Sequence, residues 1–389
     1  MGPMGPMGHI YLDNAATSFP KPETVYQAVM HAMREIGVSP GRGSYRRSLE
    51  AGRLLFQTRE AIAGLFSIPD SSRIIFTHSA TEALNIAVRG TLHPGDHVIT
   101  TSMEHNSLLR PLVALRHEGI ELTIVTADVE GRVDPDDVRA ALRPNTRMLA
   151  AGHISNVSGT IQAIDALAAI AREAGTMFLL DAAQSAGHEP IDVMKTGIDL
   201  LAAPGHKGLL GPQGTGFLYA APAVALKPLL AGGTGSSSAS EEQPETMPEG
   251  FEAGTHNLPG IAGLKAGVEF VQEQGVAVVG GKERQLVNSV AKRLAEIPGI
   301  RLYGPSDPAC RGGLLSLTMA GMDPSALAFM LDQTFDIAVR AGLHCAPRAH
   351  QTLGSFPGGT LRLSPGWFTT SEEIAIFCDA IIECSRSVT

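Results

Sequence analysis

Along the first half of the chain, short apolar runs alternate with longer stretches in which apolar residues recur every three or four positions. This is the rhythm of a parallel sheet crossed by helices. The runs "RIIFT" (73–77), "HVITT" (97–101), "ELTIVTA" (121–127), "RMLAAGHI" (147–154), "MFLLDAA" (177–183), "DLLAA" (199–203) and "GTGFLYA" (214–220) predict strands. Between them "ATEALNIAVRGTL", "HNSLLRPLVALRHEG", "DPDDVRAAL" and "AIDALAAIAREAG" predict amphipathic helices, the last with an acidic start and a glycine stop. Together they make a large α/β domain. Past "FEAGTHNLPG" the helices "IAGLKAGVEFVQEQG" and "VGGKERQLVNSVAKRLAEI" are followed by strands "GLLSLTM", "IAVRAG" and "GTLRLSP", which separate two further helices, and the chain ends on "SEEIAIFCDAIIECSR". That pattern predicts a smaller α+β domain. The polar segment 231–250 between the two is rich in Ser, Gly and Glu and is expected to be a mobile loop.

Composition narrows the partners. A chain of 389 residues is comfortable for two domains sharing an interface. The net charge is −9, and no basic run exceeds Arg46–Arg47, which argues against nucleic acid or an anionic membrane and for a small-molecule substrate. Four cysteines, Cys310, Cys345, Cys378 and Cys384, are too few and too unevenly spaced for a disulfide framework, so they are read as reduced and intracellular. With no apolar run of membrane-spanning length and no signal-peptide pattern, the expected location is the cytoplasm. The opening "MGPMGPMG" (1–8) is expected to be a disordered extension.

The candidate chemistry gathers where the predicted strands end. Asp181 in "LLDAAQS" closes an apolar strand, where open α/β sheets put their ligands, with Gln184 one turn on. Lys207, beside His206 in the Gly-rich "APGHKGLLGPQG", sits among small apolar residues that disfavour its ammonium form, so it can form a Schiff base. The Ser79–Ala80–Thr81 helix start suits a phosphate. An acid, an imine-forming lysine and a phosphate seat together describe pyridoxal phosphate (PLP). Taken singly, Asp181, Ser79 and Thr81 can equally be helix caps, Lys207 a surface lysine and His105 a satisfied loop histidine. It is the ordered set that favours the cofactor. No Walker-type or clean dinucleotide-binding glycine motif is present.

The succession "YLDNAAT", "SATEALN", "MEHNS", "HISNVSGT", "LLDAAQS", "GHKGLLGPQGTGFLY", "FEAGTHN", "VRAGLHCAP" and "LRLSP" resembles the PLP-dependent class V aminotransferase superfamily, and within it the group II, Suf-type cysteine desulfurases that include selenocysteine lyases. The resemblance implies fold type I, with a mostly parallel seven-stranded sheet. It also implies a large PLP-binding domain at 17–268 and a small domain made of 9–16 and 269–389. It implies that Lys207 carries the cofactor and moves a proton at the substrate Cα, that Asp181 faces the pyridinium nitrogen, Gln184 the phenolic oxygen, and that His105 stacks on the ring. Ala80, Thr81 and His206 would hold the phosphate, with Thr255 reaching in from the other subunit of a homodimer. Asn156, which also neighbours the cofactor, and Arg362 would bind the substrate carboxylate, with Arg340 beside them.

Cys345 would then take sulfur from L-cysteine as a persulfide, releasing alanine and feeding an acceptor protein for iron–sulfur cluster or related biosynthesis. Adjacent Gly342 and His344 are expected to give its loop mobility and control the thiol. Cys310, Cys378 and Cys384 are read as small buried side chains. The alternatives are a selenocysteine lyase acting on L-selenocysteine, a class V aminotransferase or lyase that does not use Cys345, and a non-catalytic sulfur carrier. A metal site from His344, Cys345 and His350 lacks a second ligand pair, so no metal is expected. Three departures from the family pattern stand out: Pro204 in place of a serine, Tyr45 in place of a histidine, and the Ser-rich loop 234–246.

Overall fold

The structure is a computed structural model that describes residues 9–41, 43–235 and 239–386. The Gly-Pro extension, residues 236–238 of the Ser-rich loop and the last three residues lie outside the described residues. The strands are β1 (Ile10–Tyr11), β2 (Ile74–Thr77), β3 (His97–Thr101), β4 (Glu121–Val125), β5 (Thr146–Gly152), β6 (Met177–Asp181), β7 (Leu200–Pro204), β8 (Gly216–Ala220), β9 (Ile300–Tyr303), β10 (Leu315–Met319), β11 (Ile337–Ala338), β12 (Arg340–Gly342) and β13 (Thr360–Leu363). The helices are α1 (Glu23–His31), α2 (Arg46–Phe66), α3 (Ala80–Thr91), α4 (Asn106–Arg116), α5 (Pro135–Ala140), α6 (Ile164–Glu173), α7 (Val193–Thr196), α8 (Leu258–Gln274), α9 (Val276–Leu294), α10 (Pro324–Phe335), α11 (Pro347–Leu353) and α12 (Ser371–Arg386).

Seven strands form one sheet in the order β2-β8-β7-β6-β5-β3-β4. Only β8 runs antiparallel to its neighbours, β2 and β7. Alternate side chains leave the sheet on opposite faces. Phe178, Leu180 and Phe217 join Leu55, Ile62 and Phe66 of α2, Leu167 of α6 and Leu264 of α8 in one core. Leu179, Leu200 and Leu218 join Leu84 and Val88 of α3 and Leu108 and Leu112 of α4 in another. Both faces are covered, which is why these strands read as continuous apolar runs.

A second sheet, β12-β13-β10-β9, is antiparallel. It packs Leu315, Leu317, Leu361 and Leu363 against Val287 and Val290 of α9, Leu331 of α10 and Phe377 and Ile381 of α12. The N-terminal Ile10 and Leu12 join this core, and β1 pairs with β11 in parallel.

Three local expectations change. "IAVRAG" is not one strand: it divides at Val339, β11 pairing with β1 and β12 with β13. The segment 23–66, for which the hydrophobic pattern suggested no element, carries α1 and the long α2. Cys378 and Cys384 are buried as expected, but Cys310 is only half-buried, in a surface turn where its thiol faces Asp307. The described part of 231–250 is tied at both ends by Gln243, which accepts from the Gly232 N–H at 2.9 Å and donates to the Gly250 carbonyl at 2.8 Å.

Candidate active site

The parallel strands deliver their carboxyl ends to one edge of the sheet, and the loops that follow surround a cavity of about 250 Å³. Asp181 ends β6. Pro204 ends β7 and leads into the Gly205–His206–Lys207 turn. Ser79 caps α3 by accepting the Glu82 N–H at 3.2 Å, which sets Ala80 and Thr81 at the helix start. Ala80, Thr81, His105, Asn156, Asp181, Gln184, Pro204, His206, Lys207, Arg340 and Arg362 all line this one cavity.

The lysine turn is shaped by close packing. A Cβ on Gly205 would lie 2.2 Å from Thr215 Oγ1, so no larger residue fits without displacement. The carbonyl of His206 accepts from the Ser18 N–H at 3.0 Å, the Ser18 hydroxyl at 3.1 Å, the Thr17 hydroxyl at 3.2 Å and the Lys21 ammonium at 3.5 Å. This cluster of donors fixes the peptide that precedes Lys207.

Burial sets the protonation states. It pushes Lys207 down to about 8, partly opposed by Asp181. The same desolvation raises Asp181, which is 5% exposed and accepts the Ala183 N–H at 2.9 Å. His105 is pushed down to about 4, first by burial and then by Lys207, Arg340, Arg362 and Arg110. Its Nδ1 accepts the Ser107 N–H at 3.0 Å, so the neutral ring carries its proton on Nε2. Burial likewise lowers His206 to about 4, and its Nδ1 has no partner among the described residues. Arg362 is 1% exposed; it donates to Asp13 Oδ1 at 2.8 Å and to the Asn156 carbonyl at 3.0 Å, while its Nε has no partner among the described residues.

Cys345 is exposed and stands at the rim of the cavity, its Sγ 3.9 Å from Nη2 of Arg340, which lines the wall. His344 and Cys345 both adopt left-handed backbone, with φ of 46° and 59°. The turn is anchored: the Asn156 amide donates to the His344 carbonyl at 2.7 Å, and the Asn106 N–H to the Cys345 carbonyl at 2.8 Å. His344 does not act on the thiol as a cation. Its Nε2 lies 3.1 Å from the Thr360 carbonyl, and burial drives it down to about 2, so it is neutral, whereas Arg340 is the charged group that touches Sγ. Among the described residues no group of three His, Cys, Asp or Glu side chains is arranged to hold a metal ion.

Two residues lie apart from this cavity. Thr255 borders a separate pocket with Thr77, Glu82 and Asn257. Tyr45 is exposed at the start of α2. Conversely, Glu104, which lines the cavity, and Asp13, which pairs with the cavity residue Arg362, both lie inside quoted motifs and were passed over by sequence reasoning. The available signal was a carboxylate at the end of an apolar strand for Glu104, and the pairing need of a buried arginine for Asp13.

The Aminotransferase class-V family matches residues 10–377. A probable cysteine desulfurase of Methanothermobacter thermautotrophicus is 39% identical over 96% of this chain and 94% of its own length. Another from Synechocystis sp. is 34% identical over 96% and 91%. Among solved structures, the apo cysteine desulfurase from Thermococcus onnurineus NA1 superposes with a TM-score of 0.92 at 32% identity, over 97% of this chain and 95% of that one. The cysteine desulfurase CsdA (S-sulfonic acid) from Escherichia coli gives 0.88 at 30% identity, over 98% and 96%. Matched along nearly its whole length by that family, and bearing the same fold as these enzymes, the chain belongs to the class-V aminotransferases.

Proposed function

We propose that this protein is a PLP-dependent cysteine desulfurase that converts L-cysteine to L-alanine and leaves the sulfur on Cys345 as a persulfide. The observation that carries this reading is the convergence of Lys207, Asp181 and His105 on one cavity with Cys345 at its rim. The donor set fits the cofactor. Lys207 offers an amine for the aldehyde, Asp181 an anion for the ring nitrogen, Gln184 an amide for the phenolic oxygen and His105 a neutral ring to stack. The start of α3, Thr81 and the unpartnered Nδ1 of His206 offer donors for the phosphate. Pro204 lacks the hydroxyl that a serine would add there. Bound PLP supplies an electron sink for charge developing at the substrate Cα.

Around it, Arg362 Nε and Asn156 hold the substrate carboxylate, and the Lys207 amine takes and returns the proton at Cα. The Cys345 thiolate attacks the substrate sulfur and the C–S bond breaks. The electron pair stays with the substrate Cβ, which then takes a proton; L-cysteine and one thiol become L-alanine and one persulfide. The same proposal includes a cytoplasmic homodimer in which Thr255 serves the partner's cavity, and an acceptor protein that carries the sulfur toward iron–sulfur clusters or related products. Among the described residues no helix is long and apolar enough to cross a membrane.

The test is incubation of the parent and Cys345→Ala proteins with L-cysteine, PLP and a reductant. Equal alanine and sulfide from the parent, and neither from the variant, is the expected result. A variant as active as the parent, or pyruvate in place of alanine, rejects the reading.

A further inference from the structure

Glu104 follows β3 and takes no part in the chemistry above. It is 2% exposed and lines the same cavity as Asp181. Its Oε1 accepts from the Thr101 hydroxyl at 2.6 Å, and its Oε2 accepts the Gly152 N–H at 2.9 Å. Gly152 is paired across the sheet with Asp181, and a Cβ there would stand 3.2 Å from Glu104 Oε2, so the glycine lets the carboxyl lie against this strand end. Among the described residues no cation pairs with Glu104.

A buried carboxylate without a cation is costly, whereas the acid needs only one acceptor for its proton. That acceptor is present. The Thr101 hydroxyl already receives the Met103 N–H at 3.1 Å and can rotate to receive the Glu104 proton as well. Burial pushes Glu104 up to about 8 and the charge on Asp181 acts in the same direction, against the Thr101 and Gly152 contacts. The other titratable or charged groups around the cavity are His105 beside it, Lys207 after β7, His206, Arg340 on β12, His344 and Arg362 on β13.

We propose that Glu104 is a positioning residue held as a neutral carboxylic acid, which leaves Asp181 the single anion at this end of the sheet. A charged Glu104 beside Asp181 would put two like charges at this end of the sheet and raise the proton affinity of Asp181, whose charge the cofactor nitrogen needs. Glutamine reproduces the acid rather than the carboxylate: its amide can donate to Thr101 while its oxygen accepts from Gly152.

The inference rests on the proposed cofactor site, so the test has two separate readouts. Without added cofactor, infrared difference spectra from about pH 7 to about pH 9.5 are expected to show a carboxylic-acid carbonyl band in the parent. That band should vanish with a midpoint of about 8 and be missing from Glu104→Gln. Identical spectra for the two proteins at neutral pH overturn the proposal; should the variant fail to fold, absence of such a titrating band in the parent does so. With PLP bound, the parent is expected to lose about half of its kcat and to shift its cofactor absorbance through the same midpoint beyond any change that Glu104→Gln also shows. Lys207 titrates in both proteins and cancels in the comparison. Parallel profiles overturn the proposal, whereas a protein that binds no PLP removes the cofactor reading and leaves the infrared result to decide on Glu104.

Discussion

Arg362 is among the largest fully buried side chains, and among the described residues Asp13 supplies its counter-charge. Removing one partner of a buried pair leaves the other uncompensated, so Asp13→Ala is expected to lower unfolding free energy by about 3–5 kcal/mol in chemical denaturation. A loss below about 1 kcal/mol contradicts the assigned pairing. The unpartnered Nε of Arg362 has a different expected signature: Arg362→Lys should raise KM for L-cysteine by about tenfold or more, since lysine keeps charge but loses the fork that grips a carboxylate. An unchanged KM removes Arg362 from substrate binding. At the rim, Arg340→Gln is expected to slow alkylation of Cys345 severalfold at fixed pH, read by mass spectrometry of the modified peptide. His344 cannot substitute for that charge because burial keeps it neutral.

The elements explain which parts of the fold were legible. The strands of the main sheet stand out as apolar runs bounded by turn residues because both faces are buried, except at the edge strand β4, where Glu121 is exposed and only Val125 is buried. Helix α2 does not, because its buried stripe includes Ser48, Thr58 and Arg59 among Leu55, Ile62 and Phe66, and a hydrophobic pattern cannot register polar residues that are buried through partners. Arg59 finds its partner, Glu252, 193 positions along the chain. The division of "IAVRAG" was hidden for another reason: strand pairing is a long-range property, and two short strands in sequence read as one. Asp181 and Lys207 were legible because they close or follow a strand, and Ala80 and Thr81 because they open a helix, whereas Asn156, Arg340 and Arg362 came only from the resemblance and the neutrality of His344 depends on packing that only the fold supplies. At this scale Gly205→Ala is the sharpest probe. Its Cβ must displace Thr215, which is expected to cost about 1–3 kcal/mol in stability and to weaken PLP binding as the Lys207 turn shifts. A variant with parental stability and cofactor affinity contradicts the packing described for the turn.

At the scale of the whole molecule, both sheets build the cavity, since Asp181 and Lys207 come from the large sheet and its loops and Arg340 and Arg362 from the small one. Burial of histidines has a cost that appears in the acid limb of stability. Burial holds His153 and His350 down at about 4 and His344 at about 2, against an ordinary value of 6.5. Between those values the unfolded chain binds more protons than the folded one, so stability is complete above about pH 6.5 and falls as pH drops toward about 4. Melting temperature should therefore decline over that window, less steeply in His350→Gln; a flat profile contradicts the buried neutral histidines. The central claim is sulfur transfer to Cys345, and it is tested most directly by mass spectrometry of the PLP-bound protein after brief exposure to L-cysteine without reductant. One added sulfur atom, mapped to the peptide carrying Cys345 and removed by later reduction, is the predicted result. An unmodified Cys345 in protein that has released alanine contradicts the account.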